Sequence, residues 1–400
     1  MTDGDTLAAS RLRGLGVESG LVDVTDDRLK WHPSRDSRNR YNRMASMRTA
    51  LAFLQTSADA TACVAAPLDP VLSPRDGSPA FFAPDFSLAC ERAWWFDTDA
   101  TALHTLSKAE WAQRFPIGTA GLITPSWGAP DERRFAEGFR TLTSRLEDGT
   151  LRKGVPITVM TASLAPEDAP ALFAQLLGCV PVLPPNLYAY GFYRPAADTG
   201  TGSPEFLIGA TPELLFEIED GRRLSTMAVA GTRRSDAGLA SLEESPKDRD
   251  EHQSVVDDLL AQVEAWGRPR ASGTEVRVFG LLEHLAVDIC LDATAPLDFE
   301  AVARRLHPTP ALGVYPRGTA GTEWLTGIDP GGDRKRFGAP FGLRWPDGGG
   351  RCVVAIRNLQ YRDGQLEIWA GCGVVSQSRY PDEWQELLDK MQAVRATWNV

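Results

Sequence analysis

The chain has 400 residues, of which 43% are hydrophobic and 24% are charged, and its formal net charge is −11. A chain of this size can bury a large core, so it needs neither disulfides nor a structural metal to fold. The acidic balance argues against a nucleic-acid surface, because phosphate binding needs clustered lysine and arginine; it leaves room for a small basic pocket.

The cysteines and the N-terminal sequence indicate the compartment. The six cysteines are dispersed and form no C-x-x-C pair, which favours reduced thiols over a disulfide framework or a zinc site. The first residues, M-T-D-G-D-T-L, lack the apolar core of a signal peptide. No apolar run reaches the ~20 residues of a membrane span. We therefore expect a cytoplasmic protein that binds neither membranes nor nucleic acid.

Residues 1–130 show patterns of short strands and turns. Residues 44–53 predict a short helix, and the arginine-rich segment 35–48 is typical of a solvated face. Apolar runs bounded by proline, glycine and aspartate predict strands at 63–66, 80–82 and 93–96.

The next region alternates helical and strand patterns. Apolar residues at helical spacing predict a helix over 131–151, with Gly149 as a stop signal. A strand is predicted over 153–160, with Lys153 at its entrance and Pro156 weakening its pairing. Further elements are predicted in this order: a helix at 165–177, and strands at 187–193 and 206–210.

A helix predicted over 247–266 carries an acid at the edge of its buried stripe. Glu251 precedes Val255 by one turn, so its side chain should lean inward. A carboxylate held there needs a cation or hydrogen bonds, because burying the charge alone costs several kcal/mol. His252 lies nearer the centre of the stripe and is interpreted as a core histidine.

The C-terminal region predicts a hairpin followed by a helix. Strands at 352–357 and 366–370 are expected to pair around a turn at 362–364, and the mixture of hairpins and helices indicates an α+β fold. In the following helix Glu383, Glu386 and Lys390 share one edge at ~100° per residue. Its acids either complement the helix dipole or bind a ligand, and the local pattern leaves both readings open.

Six motifs, in this order, resemble those of the chorismate-binding enzymes, which include the isochorismate, anthranilate, aminodeoxychorismate and salicylate synthases. The motifs are G-A-T-P-E-L-L (209–215), A-V-A-G-T (228–232), K-D-R-D-E-H-Q-S-V-V-D (247–257), L-H-P-T-P-A-L (306–312), V-A-I-R (354–357) and the stretch 370–390. The resemblance covers about residues 131–400, the expected catalytic region. Residues 1–130 would form the N-terminal part of the same unit. The resemblance implies two large, mostly antiparallel sheets with helices outside and the active site in a central cleft.

The same resemblance implies a magnesium-dependent reaction on chorismate. Glu251 and Glu386 would bind Mg²⁺, with Glu383 acting directly or through water; Mg²⁺ prefers few carboxylates and several waters. Lys153 would activate water for attack at ring carbon 2, and Glu213 would protonate the hydroxyl leaving carbon 4. The residues implied in substrate binding are Gly231, Thr232, His284, Arg357, Gly371 and Lys390. For Arg357 and Lys390, exposed surface positions remain the alternative.

Several residues favour an isochorismate synthase within this family. Ala230 stands where the aminodeoxychorismate type has a nucleophilic lysine, and L-H-P-T-P-A-L resembles the isochorismate type. We therefore expect a monomer that acts without a glutamine amidotransferase. Salicylate formation, an aminated product, or a non-catalytic paralogue that binds chorismate remain alternatives. The departures from the family pattern that motivate these alternatives are G-V-P-I-T after Lys153, Val287, Cys372 and Leu387.

Overall fold

The computed structural model describes residues 50–65, 70–90, 92–95, 103–117, 122–235 and 242–400. The arginine-rich segment 35–48 and most of the predicted helix 44–53 lie outside these ranges. For the part of the predicted helix that the structure describes, the prediction is wrong. Leu51–Ser57 is a strand with buried residues along its length and a partner strand on each side. A short apolar run that is buried on both faces has no periodicity to separate strand from helix.

The first sheet contains eight antiparallel strands. In spatial order they are β6 (His104–Ser107), β2 (Ala60–Ala65), β1 (Leu51–Ser57), β9 (Tyr188–Arg194), β10 (Glu205–Thr211), β19 (Asn358–Arg362), β20 (Gln365–Gly371) and β8 (Ile157–Ser163).

The second sheet contains ten strands, and a short pair lies beside the two sheets. The ten are β13 (Arg270–Ala271), β15 (Leu282–Asp292), β12 (Arg223–Arg234), β11 (Leu214–Glu219), β18 (Gly350–Val354), β17 (Pro340–Arg344), β4 (Ala80–Phe82), β5 (Trp94–Trp95) and β3 (Pro70–Val71), with β14 (Glu275–Phe279) on β15. The short pair is β7 (Lys153–Gly154) with β16 (Val314–Tyr315).

Eight helices connect and cover the strands among the described residues. They are α1 (Lys108–Arg114), α2 (Glu132–Glu147), α3 (Ala169–Cys179), α4 (Ala196–Thr199), α5 (Pro246–Val263), α6 (Phe299–Leu306), α7 (Thr319–Ile328) and α8 (Tyr380–Trp398). Helices α2, α3 and α8 pack on the first sheet, and α5 and α6 pack on the second. None of the described helices is both long and apolar enough to cross a membrane.

The two sheets pack face to face. Along β1, Leu51 and Phe53 belong to the core beneath the helices, whereas Ala52 and Leu54 meet Phe341 and neighbouring residues of the second sheet. This alternation follows from the two-residue repeat of a strand. The α+β fold with two large antiparallel sheets and outer helices is therefore confirmed.

Two strand predictions need correction. Pro156 divides the strand predicted over 153–160 into β7 and β8, because proline has no N–H for a ladder bond. The predicted hairpin of 352–357 with 366–370 is wrong, although its turn is placed correctly. β18 pairs with β11 and β17 in the second sheet, and β19 is the strand that pairs with β20. The chain crosses between the sheets just before Asn358.

Candidate active site

A cleft lies between the two sheets. The first sheet contributes residues from β20, the second sheet contributes β12 and β15, and helices α5 and α8 close one side. The lining residues are Pro212, Glu213, Val229, Ala230, Thr232, Glu251, His284, Ala311, Leu312, Phe337, Ile356, Arg357, Trp369, Ala370, Gly371, Gly373 and Lys390.

Three carboxylates meet at the side closed by the helices. Glu251 comes from α5, and Glu383 and Glu386 come from α8. They surround the ammonium of Lys247, whose Nζ lies 3.6 Å from an oxygen of Glu251, 2.9 Å from Glu383 and 3.8 Å from Glu386. The structure thus brings together the three acids that the family resemblance implies as metal ligands.

The oxygens of this carboxylate cluster lack enough hydrogen bonds. Glu251 is 4% exposed and Glu383 is 1% exposed; Lys247 forms an ion pair with each of them, and apart from that shared ammonium Glu251 Oε2 and both oxygens of Glu383 have no hydrogen-bond donor. Buried polar atoms without partners are rare and call for an explanation. The donor set suits a hard cation that takes oxygen ligands. In the present arrangement, no acidic, histidine or cysteine side chains among the described residues are grouped closely enough to hold a metal. The ammonium of Lys247 lies between Glu251, Glu383 and Glu386.

The two glutamates that α8 contributes to the cluster have pKa values shifted in opposite directions. Burial, reinforced by the neighbouring Glu386, raises the pKa of Glu383 to about 7. Burial also opposes ionisation of Glu386, but Lys390 and Lys247 outweigh it and lower that pKa to about 2. Glu386 is therefore ionised at neutral pH, whereas Glu383 exchanges its proton near neutrality.

Lys153 is fully buried at the edge of the same cluster. Its Nζ donates to the carbonyl oxygen of Pro310 at 2.5 Å and lies 3.5 Å from Glu251 Oε1. Burial lowers the pKa of Lys153 and outweighs the opposing attraction of Glu251. Because a lysine acts as a base only when it is neutral, this environment favours that role.

Glu213 follows β10 in a buried turn and is 3% exposed. The hydroxyl of Thr309 donates to its Oε1 at 3.4 Å. Burial raises the pKa of Glu213 to about 7, although the positive charge of Lys153 acts in the opposite direction. A carboxyl group with this pKa holds a proton in a large fraction of molecules at neutral pH and can act as an acid.

A neutral histidine and an arginine form another part of the cleft. His284 Nδ1 lies 2.8 Å from the carbonyl oxygen of Gly231, and its Nε2 lies 3.2 Å from Arg357 Nη2. A carbonyl can only accept, so Nδ1 carries the proton and Nε2 accepts from the guanidinium. Burial and Arg357 lower the pKa of His284 to about 3. Thr232 lies within 3.3 Å of the same Nδ1.

Arg357 and Lys390 are not solvated surface residues. Arg357 lies where the chain crosses between the sheets, in the left-handed region with a φ of 55°, and burial lowers its pKa to about 10. Lys390 has a side chain that is 15% exposed and lies 2.7 Å from Glu386 Oε1. It also donates to the carbonyl oxygen of Gly371 at 2.8 Å.

Sequence reasoning assigned no role to two side chains that the structure places at the site. Lys247 lies among the predicted metal ligands, and Thr309 contacts Glu213. Lys247 could have been found, because it precedes Glu251 by four residues and the two therefore share a helix face. Thr309 belongs to the quoted L-H-P-T-P-A-L motif, but its contact with Glu213 spans 96 residues.

The departures from the family pattern are core positions. Val287, Cys372 and Leu387 are 3%, 1% and 0% exposed, and all three belong to apolar clusters. Gly373, beside Cys372, has a tighter constraint: a Cβ there would lie 1.9 Å from Glu251 Oε1 and 2.7 Å from Lys153 Cε. His252, predicted to be a core histidine, is 2% exposed and contacts the carbonyl oxygen of Ala228.

A cleft that combines buried ionisable groups with shifted pKa values defines a small-molecule enzyme. Residues 198–397 match the family model described as chorismate binding enzyme. The isochorismate synthase EntC of Escherichia coli is 32% identical over 294 residues, which are 69% of this chain and 69% of that protein. This chain therefore belongs to the family of chorismate-binding enzymes.

One further relative shows a similar relationship, and a solved structure shows a similar fold. The isochorismate synthase DhbC of Bacillus subtilis is 30% identical over 284 residues, covering 66% of this chain and 67% of that protein. The solved structure of the menaquinone-specific isochorismate synthase MenF from Escherichia coli superposes with a TM-score of 0.68 at 18% identity, covering 92% of each chain. At that identity the structural match establishes the fold alone.

Proposed function

We propose that this chain is an isochorismate synthase that converts chorismate to isochorismate. The observation that carries the proposal is the presence, in one cleft, of a buried lysine with a lowered pKa and a buried glutamate with a pKa of about 7. In this reaction the oxygen of water bonds to one ring carbon and a hydroxyl group leaves a second ring carbon. The first step requires a base to take a proton, and the second requires an acid to give one. The relatives named isochorismate synthase support the same reaction.

Lys153 and Glu213 divide the proton transfers between them. Neutral Lys153 takes a proton from water as its oxygen bonds to ring carbon 2, and both ring double bonds shift by one position towards carbon 4, where the bond to the hydroxyl breaks. Protonated Glu213 gives its proton to the carbon 4 hydroxyl, which leaves as water. Their environments suit these roles because burial disfavours the charged form of each side chain.

The basic residues would hold the dicarboxylate substrate. Arg357 has a planar fork that suits one carboxylate, and its contact with His284 orients it within the cleft. Lys390, fixed between Glu386 and Gly371, would bind the other carboxylate. Gly231 and Thr232 lie beside His284, where backbone and hydroxyl groups can meet the ring substituents.

Glu251, Glu383 and Glu386 would hold the Mg²⁺ that the family relationship implies. Glu251 Oε2 and both oxygens of Glu383, which have no hydrogen-bond donor apart from the shared Lys247 ammonium, support this assignment. A bound Mg²⁺ would neutralise a carboxylate of the substrate and fix its position. A reaction that uses water needs no ammonia source, so we propose that the chain works without a glutamine amidotransferase subunit. The monomeric state and the cytoplasmic location remain predictions.

Incubating the protein with chorismate and Mg²⁺, followed by chromatographic separation of the products, tests the proposal. Isochorismate should form, and Lys153→Met and Glu213→Gln should each lower kcat by about 10²- to 10⁴-fold, the usual contribution of a positioned acid or base. Glu323→Gln, which changes an exposed acid on α7, should retain full activity. Unchanged chorismate would refute the assignment and favour a non-catalytic paralogue. Release of pyruvate, or an aminated product with ammonia, would instead identify another reaction of the family.

A further inference from the structure

Lys247 occupies the centre of the carboxylate cluster of Glu251, Glu383 and Glu386. Its Nζ lies within 4 Å of an oxygen of each acid: 3.6 Å, 2.9 Å and 3.8 Å in that order. Among the described residues, no other ammonium contacts all three. A cation bound by these carboxylates and the Lys247 ammonium would therefore compete for the same space.

The cluster contains equal numbers of acids and lysines. Lys153 pairs with Glu251, Lys390 pairs with Glu386, and Lys247 contacts all three glutamates. Three lysines thus face three carboxylates, so the acids already have basic partners before any metal arrives. A divalent cation entering with Lys247 in place would meet a positive charge at the centre of the cluster. Coulomb repulsion at these distances and in a partly buried site is substantial.

The position of Lys247 on its helix does not account for its charge. Lys247 lies in the first turn of α5, immediately after Pro246. A cation there opposes the helix dipole, which favours acids at the N-terminus. Burial also disfavours its charge, but Glu251, Glu386 and Glu383 outweigh these effects and raise its pKa. The carboxylate cluster is therefore what holds the ammonium.

Lys247 also has a route out of the cluster. Its side chain is 22% exposed, whereas those of Glu251 and Glu383 are 5% and 1% exposed. Its Nζ lies 3.7 Å from Asp248 Oδ1, an acid outside the cluster. A modest rotation of a flexible lysine stem can exchange the three glutamates for Asp248 and water.

We propose that Lys247 is an internal competitor for the metal: its ammonium neutralises the three glutamates when metal is absent, and it must withdraw before Mg²⁺ binds. The inference rests on the proposed metal-binding role of these glutamates. It makes Lys247 a residue that sets metal affinity without contacting the reacting atoms. Metal-free protein is thereby protected from the repulsion of three buried carboxylates.

Calorimetric titration of Mg²⁺ into metal-stripped protein, without chorismate, tests this competition. Lys247→Met should bind Mg²⁺ about tenfold more tightly or better, because the competing charge is gone. Lys247→Arg keeps the charge and should not bind more tightly than the wild type. Lys108→Met removes a lysine at the start of α1, outside the cluster, and should leave the Kd unchanged, so it controls for net charge.

Thermal unfolding provides a second measurement that does not depend on activity. Without metal, Lys247→Met should have a lower Tm than the wild type, because the glutamates have lost a counter-ion. Its gain in Tm on adding Mg²⁺ should be larger. If Lys247→Met does not fold, Lys247→Gln provides the neutral variant, since its amide can donate to Glu383.

The outcomes separate this inference from the proposed metal site. If Glu251→Gln binds Mg²⁺ as tightly as the wild type, or if neither the wild type nor any variant binds it, the proposed metal site is wrong. The proposed competition is then refuted as well. If Glu251→Gln loses binding while Lys247→Met binds no more tightly than the wild type, the site stands and the competition is refuted. Tighter binding in Lys247→Met, but not in Lys108→Met, supports the competition.

Discussion

At the scale of single residues, burial and neighbouring charge give two acids in one cleft opposite proton affinities. Glu386 has two lysines within reach, and its pKa falls to about 2 although it is buried. Burial raises the pKa of Glu213 to about 7, and its one side-chain hydrogen bond, from Thr309, only partly offsets that effect. The first can hold a cation at neutral pH, and the second can give up a proton. The division of labour thus follows from the environment rather than from the residue type.

The raised pKa of Glu213 predicts a dependence of stability on pH. The folded protein binds this proton up to about pH 7, whereas an unfolded glutamate loses it near the ordinary pKa of 4.5. Between those values the native state binds more protons, so stability falls as pH rises. Glu213→Gln should remove that loss and be the more stable protein at pH 8, by about 3 kcal/mol.

Urea denaturation at pH 5 and pH 8 measures this effect. The advantage of Glu213→Gln should be larger at pH 8 than at pH 5, while Glu323→Gln on the exposed side of α7 should show no such change. An advantage that is equal at both pH values would mean that Glu213 ionises normally in the folded protein.

At the scale of elements, two connections position side chains that the proposed mechanism uses. The short strand β7 is held on one side by β16 and on the other by mutual hydrogen bonds between Gly154 and Val374. Val374 lies between β20 and α8, so the segment that fixes Lys153 also leads into the helix that carries Glu383 and Glu386. Gly373 in this segment lets Glu251 and Lys153 approach the backbone.

Gly373→Ala should therefore disrupt both side chains. The added methyl would lie 1.9 Å from Glu251 Oε1 and 2.7 Å from Lys153 Cε, so both groups must move. We expect kcat/KM to fall by about 10²-fold, since small displacements of positioned groups have effects of that size. Gly327→Ala on α7, where a Cβ meets no atom within 4 Å, should keep full activity. Wild-type turnover by Gly373→Ala would show that this contact does not position the pair.

At the scale of the whole molecule, residues before 131 are part of both sheets. β1 lies between β2 and β9 in the first sheet, and β4 pairs with β17 in the second. Alternate residues of β1 face opposite cores, including the core shared by the two sheets. The N-terminal strands are therefore structural parts of the layers that form the cleft.

We accordingly predict that the fragment 131–400 does not fold alone. Removing β1 and β4 would leave one edge of β9 and one edge of β17 without a partner strand and open the core between the sheets, which favours aggregation. The full chain should unfold in one cooperative transition, measured by circular dichroism and fluorescence together. A soluble fragment with its own cooperative transition would show that residues 131–400 form an independent domain.

Local patterns in the sequence predict much of the fold. Apolar spacing predicted α2 and α5 to within a few residues, and it placed Glu383, Glu386 and Lys390 along one edge of α8. It also placed Glu251 at an inward edge. These predictions depend on periodicity within one element, which the sequence contains directly.

Contacts between elements needed the tertiary structure. The sequence did not reveal that β18 and β19 belong to different sheets, because two neighbouring apolar runs look alike whichever partner they take. Nor did it give the contact of Lys153 with Pro310, or the place of Lys247 among acids from two helices.

The sequence by itself determined which residue types this protein has available for catalysis, and on which elements they lie. Only the tertiary structure decided their chemical states, because a pKa depends on burial and on charges brought close by packing. Burial between the two sheets and the helices lowers the pKa of Lys153 and raises that of Glu213, and these shifts suit the base and the acid that we propose them to be.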